Sequence, residues 1–206
     1  TRIRSIGRLD KETSGILLFA RNQVAAARLQ KQREEGKLQK KYLALAEGDL
    51  SEANDSVFWK EIAIPLAPDP ENPMKMTISP DGLLPGSRNA VTYYKNIKNF
   101  GNATLVKLQL ETGRTHQIRV HMSGIGHPLL GDTMYNPGTC LNMSNSKEKK
   151  NTEGRINNRN DCFKRAALHA WKLTFCHPFT DEIITLEAPL PDDFCRFLNA
   201  NEEEKT

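Results

Sequence analysis

The sequence predicts an α+β fold with a mixed, mostly antiparallel central sheet and flanking helices. Three observations carry that expectation. At 206 residues the chain is long enough to bury one core, so a single domain over residues 1–206 is expected. Period-two alternation recurs in KLQKKYLALAEG, AVTYYKNI and NATLVKLQLE, with turn signals between them. Helical signals are fewer and lie to either side of these strands.

The elements follow in order. Ile16 to Phe19 is an apolar run expected as a short buried strand, directly after the charged cluster Arg8 to Glu12. Asn22 supplies an N-cap for a helix from Gln23 to about Glu35, and Gly36 ends it. In the next strand Leu38, Lys40, Tyr42 and Ala44 share one face, while Leu43 and Leu45 share the other. Gly48 closes that strand. Residues 51–87 carry six prolines and few periodic runs, so they read as loops and edge pieces.

AVTYYKNI and NATLVKLQLE then form a hairpin around KNFGN. Val106, Leu108 and Leu110 alternate there with Lys107, Gln109 and Glu111. ETGRTHQIRVHMSGIG turns at Gly113, starts a short helix near Thr115 and stops it around Gly124. LHAWKLTF and EIITLEA make a last strand pair joined by CHPFTDE. PDDFCRFLNA is a terminal helix with Phe194, Phe197 and Leu198 inward. Residues 140–161, CLNMSNSKEKKNTEGRINNRND, have almost no apolar side chains to offset ordering entropy, so a disordered surface insertion is expected.

Composition narrows the function classes. No run approaches the roughly 18 apolar residues of a membrane helix, and TRIRSIGR lacks a signal-peptide core. An intracellular, soluble, monomeric chain with no membrane partner is expected, its compartment left open. Cys140, Cys162, Cys176 and Cys195 form no CxxC pair, so neither a zinc ribbon nor a disulfide framework is indicated and reduced thiols are expected. Residues 1–42 hold eleven Lys or Arg against four Asp or Glu, whereas residues 181–206 hold two against eight. That polarity suits a basic face turned to a polyanion, and an ordinary solvated surface equally.

The charged candidates for chemistry are Asp10 with Arg8, and the run Arg114, His116, Arg119, His121 and His127. The histidine spacings of five and six match neither HxxxH nor HExxH, so no metal is expected. GxSxG, GxGxxG and GxxxxGK[ST] are absent, so the sequence implies no serine elbow and no nucleotide cofactor. A carboxylate stays ionised and nucleophilic where a cation holds it, and Arg119 is a suitable partner for Asp10 from a distant segment. Taken by itself, Asp10 reads as a turn or cap residue as well as a nucleophile.

These stretches together carry a resemblance. GRLDKETSGILLFARN resembles the R-L-D-x-x-T-S-G motif of the RNA pseudouridine synthases, and ETGRTHQIRVHMSGIGHPLLGD resembles the second long motif of their RluA-type branch. KKYLAL, RAALHAWKLTFCHP and EAPLPDDF match the same branch in the same order. Gly7 stands where many RluA-type enzymes carry histidine, as in the RsuA-type branch. The chain begins just before the catalytic motif, so an upstream family segment is expected to be missing.

The resemblance implies the pseudouridine synthase catalytic fold and isomerisation of specific uridines in rRNA or tRNA, without metal or cofactor. Asp10 would be the catalytic carboxylate and Arg119 its ion-pair partner. Tyr42 would stack on the target base and take part in proton removal from C5, and Ile118 would close the pocket. Arg8 would fill the space of a flipped base or touch a phosphate. Lys40 would guide phosphates, and Arg114 and His116 would contact the RNA backbone or orient the Asp10 loop. His121, His127 and His169 are expected to be structural. The alternative from another class is a catalytically inactive RNA-binding protein with the same fold; a metal-dependent hydrolase using Asp10 and the histidines is a third.

Overall fold

The computed structural model describes residues 2–50, 58–136 and 163–202. Its centre is built by the strands with the clearest alternation. β4 (Gln39–Glu47) pairs antiparallel with β9 (Ala103–Leu110), with Tyr42 opposite Leu108. β9 forms the expected hairpin with β8 (Val91–Asn99), and β10 (Leu168–Cys176) lies on the other side of β4. β5 (Lys60–Ala63) and β11 (Ile183–Glu187) complete the two edges, giving the order β11-β10-β4-β9-β8-β5. The fold is α+β with a mostly antiparallel sheet, as the sequence predicts.

Both faces of the sheet are covered, which is why β4 reads as apolar on both sides. Tyr42, Ala44, Ala46, Val106 and Leu108 pack on one face against Ile118 and Met122 of α2 (Gln117–Gly124). Leu45, Ala103 and Leu105 pack on the other against Phe194 and Phe197 of α3 (Asp192–Glu202), joined by Phe163. The Phe163 and Phe194 rings meet edge to face at 5.4 Å, a favoured aromatic geometry.

α1 (Gln23–Glu34) starts where expected, because the Asn22 side chain accepts from the Ala25 N–H at 2.8 Å. Ala25 and Leu29 turn inward onto a small hairpin of β1 (Arg4–Ile6) and β3 (Leu18–Ala20) and onto Leu173 and Phe175 of β10. A second small hairpin, β6 (Leu66–Pro68) with β7 (Met76–Ile78), packs near Val120 of α2.

Two expectations are corrected. The run from Ile16 to Phe19 is not one strand. Ser14–Gly15 form β2, parallel to His169–Ala170 of β10, while Leu18 to Ala20 cross to β1. Two sheets share the segment, so no single register spans it. α2 begins at Gln117 rather than near Thr115, because His116 is left-handed at φ 54° and cannot continue a right-handed helix. Residues 140–161, with Cys140 and Cys162, lie outside the described residues; Cys176 and Cys195 are free thiols. No helix among the described residues is long and apolar enough to cross a membrane.

β2 shows why the T-S-G stretch ends in glycine. Gly15 has φ +109°, and a Cβ there would lie 2.2 Å from the Ala170 carbonyl oxygen. Ser14 reinforces the clamp through a 2.9 Å hydrogen bond with His169 Nδ1. Gly15→Ala is expected to lower unfolding stability by about 2–4 kcal/mol in urea titrations. A parental midpoint would show that the contact between β2 and β10 is dispensable.

Candidate active site

Asp10 sits on the turn between β1 and β2, which closes with the Thr13 N–H donating to the Asp10 carbonyl at 3.0 Å. The far end of the turn is fixed to β10. Arg165 donates to the Glu12 carbonyl at 3.1 Å, and the Ile16 N–H donates to Ala170 at 2.9 Å. Asp10 is thereby carried on a clamped loop instead of a free one.

A cleft of about 840 Å³ opens beside it, lined by Arg8, Asp10, Lys40, Tyr42, Arg114, His116 and Ile118 among others. Seven of the eight residues singled out from the sequence therefore meet at one place, from three separated segments. Tyr42 is 7 % exposed and rises from the sheet floor. Burial, with the Asp10 charge adding to it, pushes its phenol up to about 12. Lys40, two residues earlier on the same face, is held below the usual lysine range by burial and by the Arg33 charge.

Arg119 is the eighth, and it lies behind the cleft wall. It does not pair with Asp10. Its guanidinium takes Asp132 in a bidentate fork, Nε to Oδ2 and Nη2 to Oδ1, each at 2.7 Å. Glu12 Oε2 approaches the same Nη2 at 3.9 Å. The expected ion pair is thus corrected: Asp132, fully buried, outcompetes a half-exposed Asp10 for the fork. Burial opposes the arginine charge, yet Asp132, and at longer range Asp10 and Glu12, hold Arg119 above its usual range. Asp10 thus adds to the negative charge facing Arg119 without touching it.

The rest of the wall is a polar lattice. His116 meets the Tyr135 hydroxyl at 2.8 Å through Nδ1, and Tyr135 accepts from the Met76 N–H at 2.9 Å while its ring lies 5.1 Å below Arg119. Gln117 accepts from the Arg114 N–H at 2.9 Å and donates to the Val91 carbonyl at 2.9 Å, which fixes the G-R-T-H-Q turn to β8. Arg114 also donates to the Asn89 carbonyl at 3.0 Å, and Arg8 donates to the Thr115 hydroxyl across the cleft mouth. Asp132, Glu12, Tyr135 and Gln117 received no role from the sequence. The only signal for Asp132 was its place at the end of the G-H-P-L-L-G-D stretch.

The remaining histidines are tied into the fold. His121 spans Thr92 Oγ1 and the Ile64 carbonyl at 2.8 Å each, and His127 meets the Glu47 carbonyl at 2.8 Å. Among the described residues no group of three His, Cys, Asp or Glu side chains is placed to hold a metal ion.

The sequence and the fold have known counterparts. Residues 1–124 match the RNA pseudouridylate synthase family, and the chain belongs to that family. It is 38 % identical over 194 residues to YhcT of Bacillus subtilis, named an uncharacterised RNA pseudouridine synthase, covering 93 % of this chain and 54 % of that protein. It is 37 % identical over 195 residues to ribosomal large subunit pseudouridine synthase D of Haemophilus influenzae, covering 95 % and 55 %. The chain thus spans about half the length of these curated relatives. The solved structure of human RNA pseudouridylate synthase domain containing 4 superposes with a TM-score of 0.71 at 26 % identity, over 97 % of this chain and 76 % of that one.

Burial lowers the pKa of His116, His121 and His169 below the ordinary histidine value. The unfolded chain then binds more protons than the folded one below that value, so stability is full above pH ~6.5 and falls as pH drops. Urea midpoints between about pH 7.5 and 5.5 are expected to decline, each neutral imidazole contributing up to about 1.4 kcal/mol per pH unit. A flat profile would contradict neutral, buried rings.

Proposed function

We propose that this chain isomerises specific uridines in structured RNA to pseudouridine, with Asp10 as the catalytic carboxylate. The observation that carries the reading is the convergence of Asp10 and Tyr42 in one cleft of about 840 Å³, within the ordinary size of a small-molecule site. Membership of the pseudouridylate synthase family supports the reaction, and the name of the H. influenzae relative favours ribosomal RNA over transfer RNA.

The reaction breaks the N1–C1′ bond, turns the uracil and rejoins C5 to C1′. It is redox-neutral and asks the protein for a nucleophile, a base-sized pocket and a route for one proton. The Asp10 carboxylate attacks C6 of the base or C1′ of the ribose, or assists a glycal route. The buried Arg119 is electrostatically coupled to it, and that coupling favours the negative charge that returns to the carboxylate when Asp10 leaves C6 or C1′.

Tyr42 enters as a neutral phenol, because burial keeps it protonated far above neutral pH. Its ring offers a face for the uracil, and the proton leaving C5 passes to solvent water, where tritium release reads it. Ile118, 4 % exposed, closes the apolar side. A uridine within structured RNA has to leave its stack to reach this floor, at a cost of a few kcal/mol. Arg8 at the mouth is placed to occupy the vacated space or to hold the adjoining phosphate.

Tritium release from RNA labelled at C5 of uridine tests the reading. Asp10→Asn is expected to lower release by at least about 10³-fold. Release at the parental rate would remove Asp10 from the mechanism. Tyr42→Phe keeps the stacking face and is expected to retain most of the rate, whereas Tyr42→Leu loses about tenfold to a hundredfold, the worth of one stacked base. Equal loss in both variants would assign the work to the hydroxyl.

A further inference from the structure

Alternation along β4 turns Lys40 and Tyr42 to the cleft and Lys41 to the opposite face of the sheet. Strand register collects more cations around Lys41. Lys107 of β9 lies opposite Leu43, and Lys95 of β8 lies opposite Lys107, so all three share Lys41's face. On the other side of Lys41 stands Lys172 of β10.

Lys172 reaches this face through an irregularity. Between His169 and Lys172 the β10 register shifts, three steps along β10 answering two along β4. The bulge also turns Trp171 toward the cluster, where its ring lies 4.7 Å from Lys107 Nζ and 5.5 Å from Lys172 Nζ. The ammoniums crowd one another. Burial, and then the charges of Lys41, Lys172 and Lys95, hold Lys107 below the usual lysine range. Glu187 answers part of the charge at 2.7 Å from Lys172.

The patch stays partly exposed, whereas α3 covers the Leu45 and Leu105 end of the same face. It is also continuous with the cleft. Gln109 pairs with Lys41, and Tyr93 pairs with Gln109, and both Gln109 and Tyr93 line the cleft. Gln109 and Tyr93 thus bridge the cleft and Lys41, with Glu111 accepting from the Tyr93 hydroxyl at 2.7 Å beside them.

We propose that this lysine and tryptophan patch is a second RNA-contact surface, which takes the phosphate backbone of the strand that leaves the catalytic cleft. The proposal rests on the reading of the substrate as RNA. Flexible ammoniums suit a run of phosphates, and Trp171 fixes two of them in place. Continuity with the cleft favours the substrate strand over a membrane surface or an acidic protein.

The test is fluorescence anisotropy with a labelled stem–loop RNA that carries long single-stranded flanks, and with a labelled pentanucleotide. The parent is compared with Lys41→Gln/Lys107→Gln/Lys172→Gln and with the matching triple arginine variant, all checked for parental circular dichroism. The glutamine variant is expected to bind the long RNA roughly tenfold more weakly. Its slope of log affinity against log salt falls by about 2 between about 50 and 200 mM salt, as three lost contacts to a single strand require. Pentanucleotide binding stays parental, and the arginine variant restores affinity and slope.

An unchanged slope with the long RNA overturns the proposal, as does equal loss in the glutamine and arginine variants, which marks a structural role. Loss of binding to phosphatidylserine vesicles with RNA binding intact overturns it in favour of another polyanion. Tritium release by the parent separates the two readings: turnover with an unchanged glutamine variant rejects the patch alone, and binding without turnover on any RNA rejects the isomerase.

Discussion

A guanidinium buried to 4 % exposure cannot be left without a counter-charge, and the site is organised around the way Arg119 meets that demand. Asp132, at 0 % exposure, takes both N–H prongs of one edge, Nε and Nη2. One Asp132 oxygen also accepts the N–H groups of Met134 and Tyr135 at 3.1 Å, so the loop after α2 is folded around the same carboxylate. Tyr135 then covers Arg119 with its ring and holds His116 with its hydroxyl. The wall of the cleft follows from the pair. Buried ion pairs seldom add net stability. What this one supplies is a cation of fixed position, coupled to Asp10 through space.

The second constraint is mechanical. The turn bearing Asp10 is joined to the sheet through Ser14, Gly15 and Ile16, whose backbone and side-chain bonds run to His169 and Ala170. The same β10 carries, two residues later, the bulge that reorients Trp171 and Lys172. One strand therefore positions the Asp10 turn on one side and shapes the basic surface on the other. Tyr42 and Lys41, neighbours on β4, divide the two faces in the same way.

Much of this was legible in the sequence where local rules decide. The cap at Asn22, the alternation through β4 and β9 and the inward Phe194 and Phe197 depend on near neighbours, and each is found as the pattern predicts. The charged cluster before an apolar run drew attention only through the family resemblance, since Asp10 by itself is an ordinary turn residue. Features set by distant partners left little local trace. Ser14 and Gly15 join β10, 155 residues away, so their strand shows no run of its own. The left-handed His116 belongs to a helix start dictated by Tyr135 and Gln117 rather than by any capping side chain. Asp132 is the clearest case. Nothing in the spacing of 119 and 132 distinguishes a buried fork from two surface charges, and so Asp10 stood as the apparent partner of Arg119.

The central proposal, that the Arg119–Asp132 pair acts on the reaction through its coupling to Asp10, is tested most directly by the rate of tritium release from the Arg119→Met/Asp132→Leu double variant. Replacing a buried pair by apolar side chains of similar volume leaves many folds intact. The account predicts a folded protein whose release is at least roughly a hundredfold slower than the parent's. A folded double variant that isomerises uridine at the parental rate would contradict it.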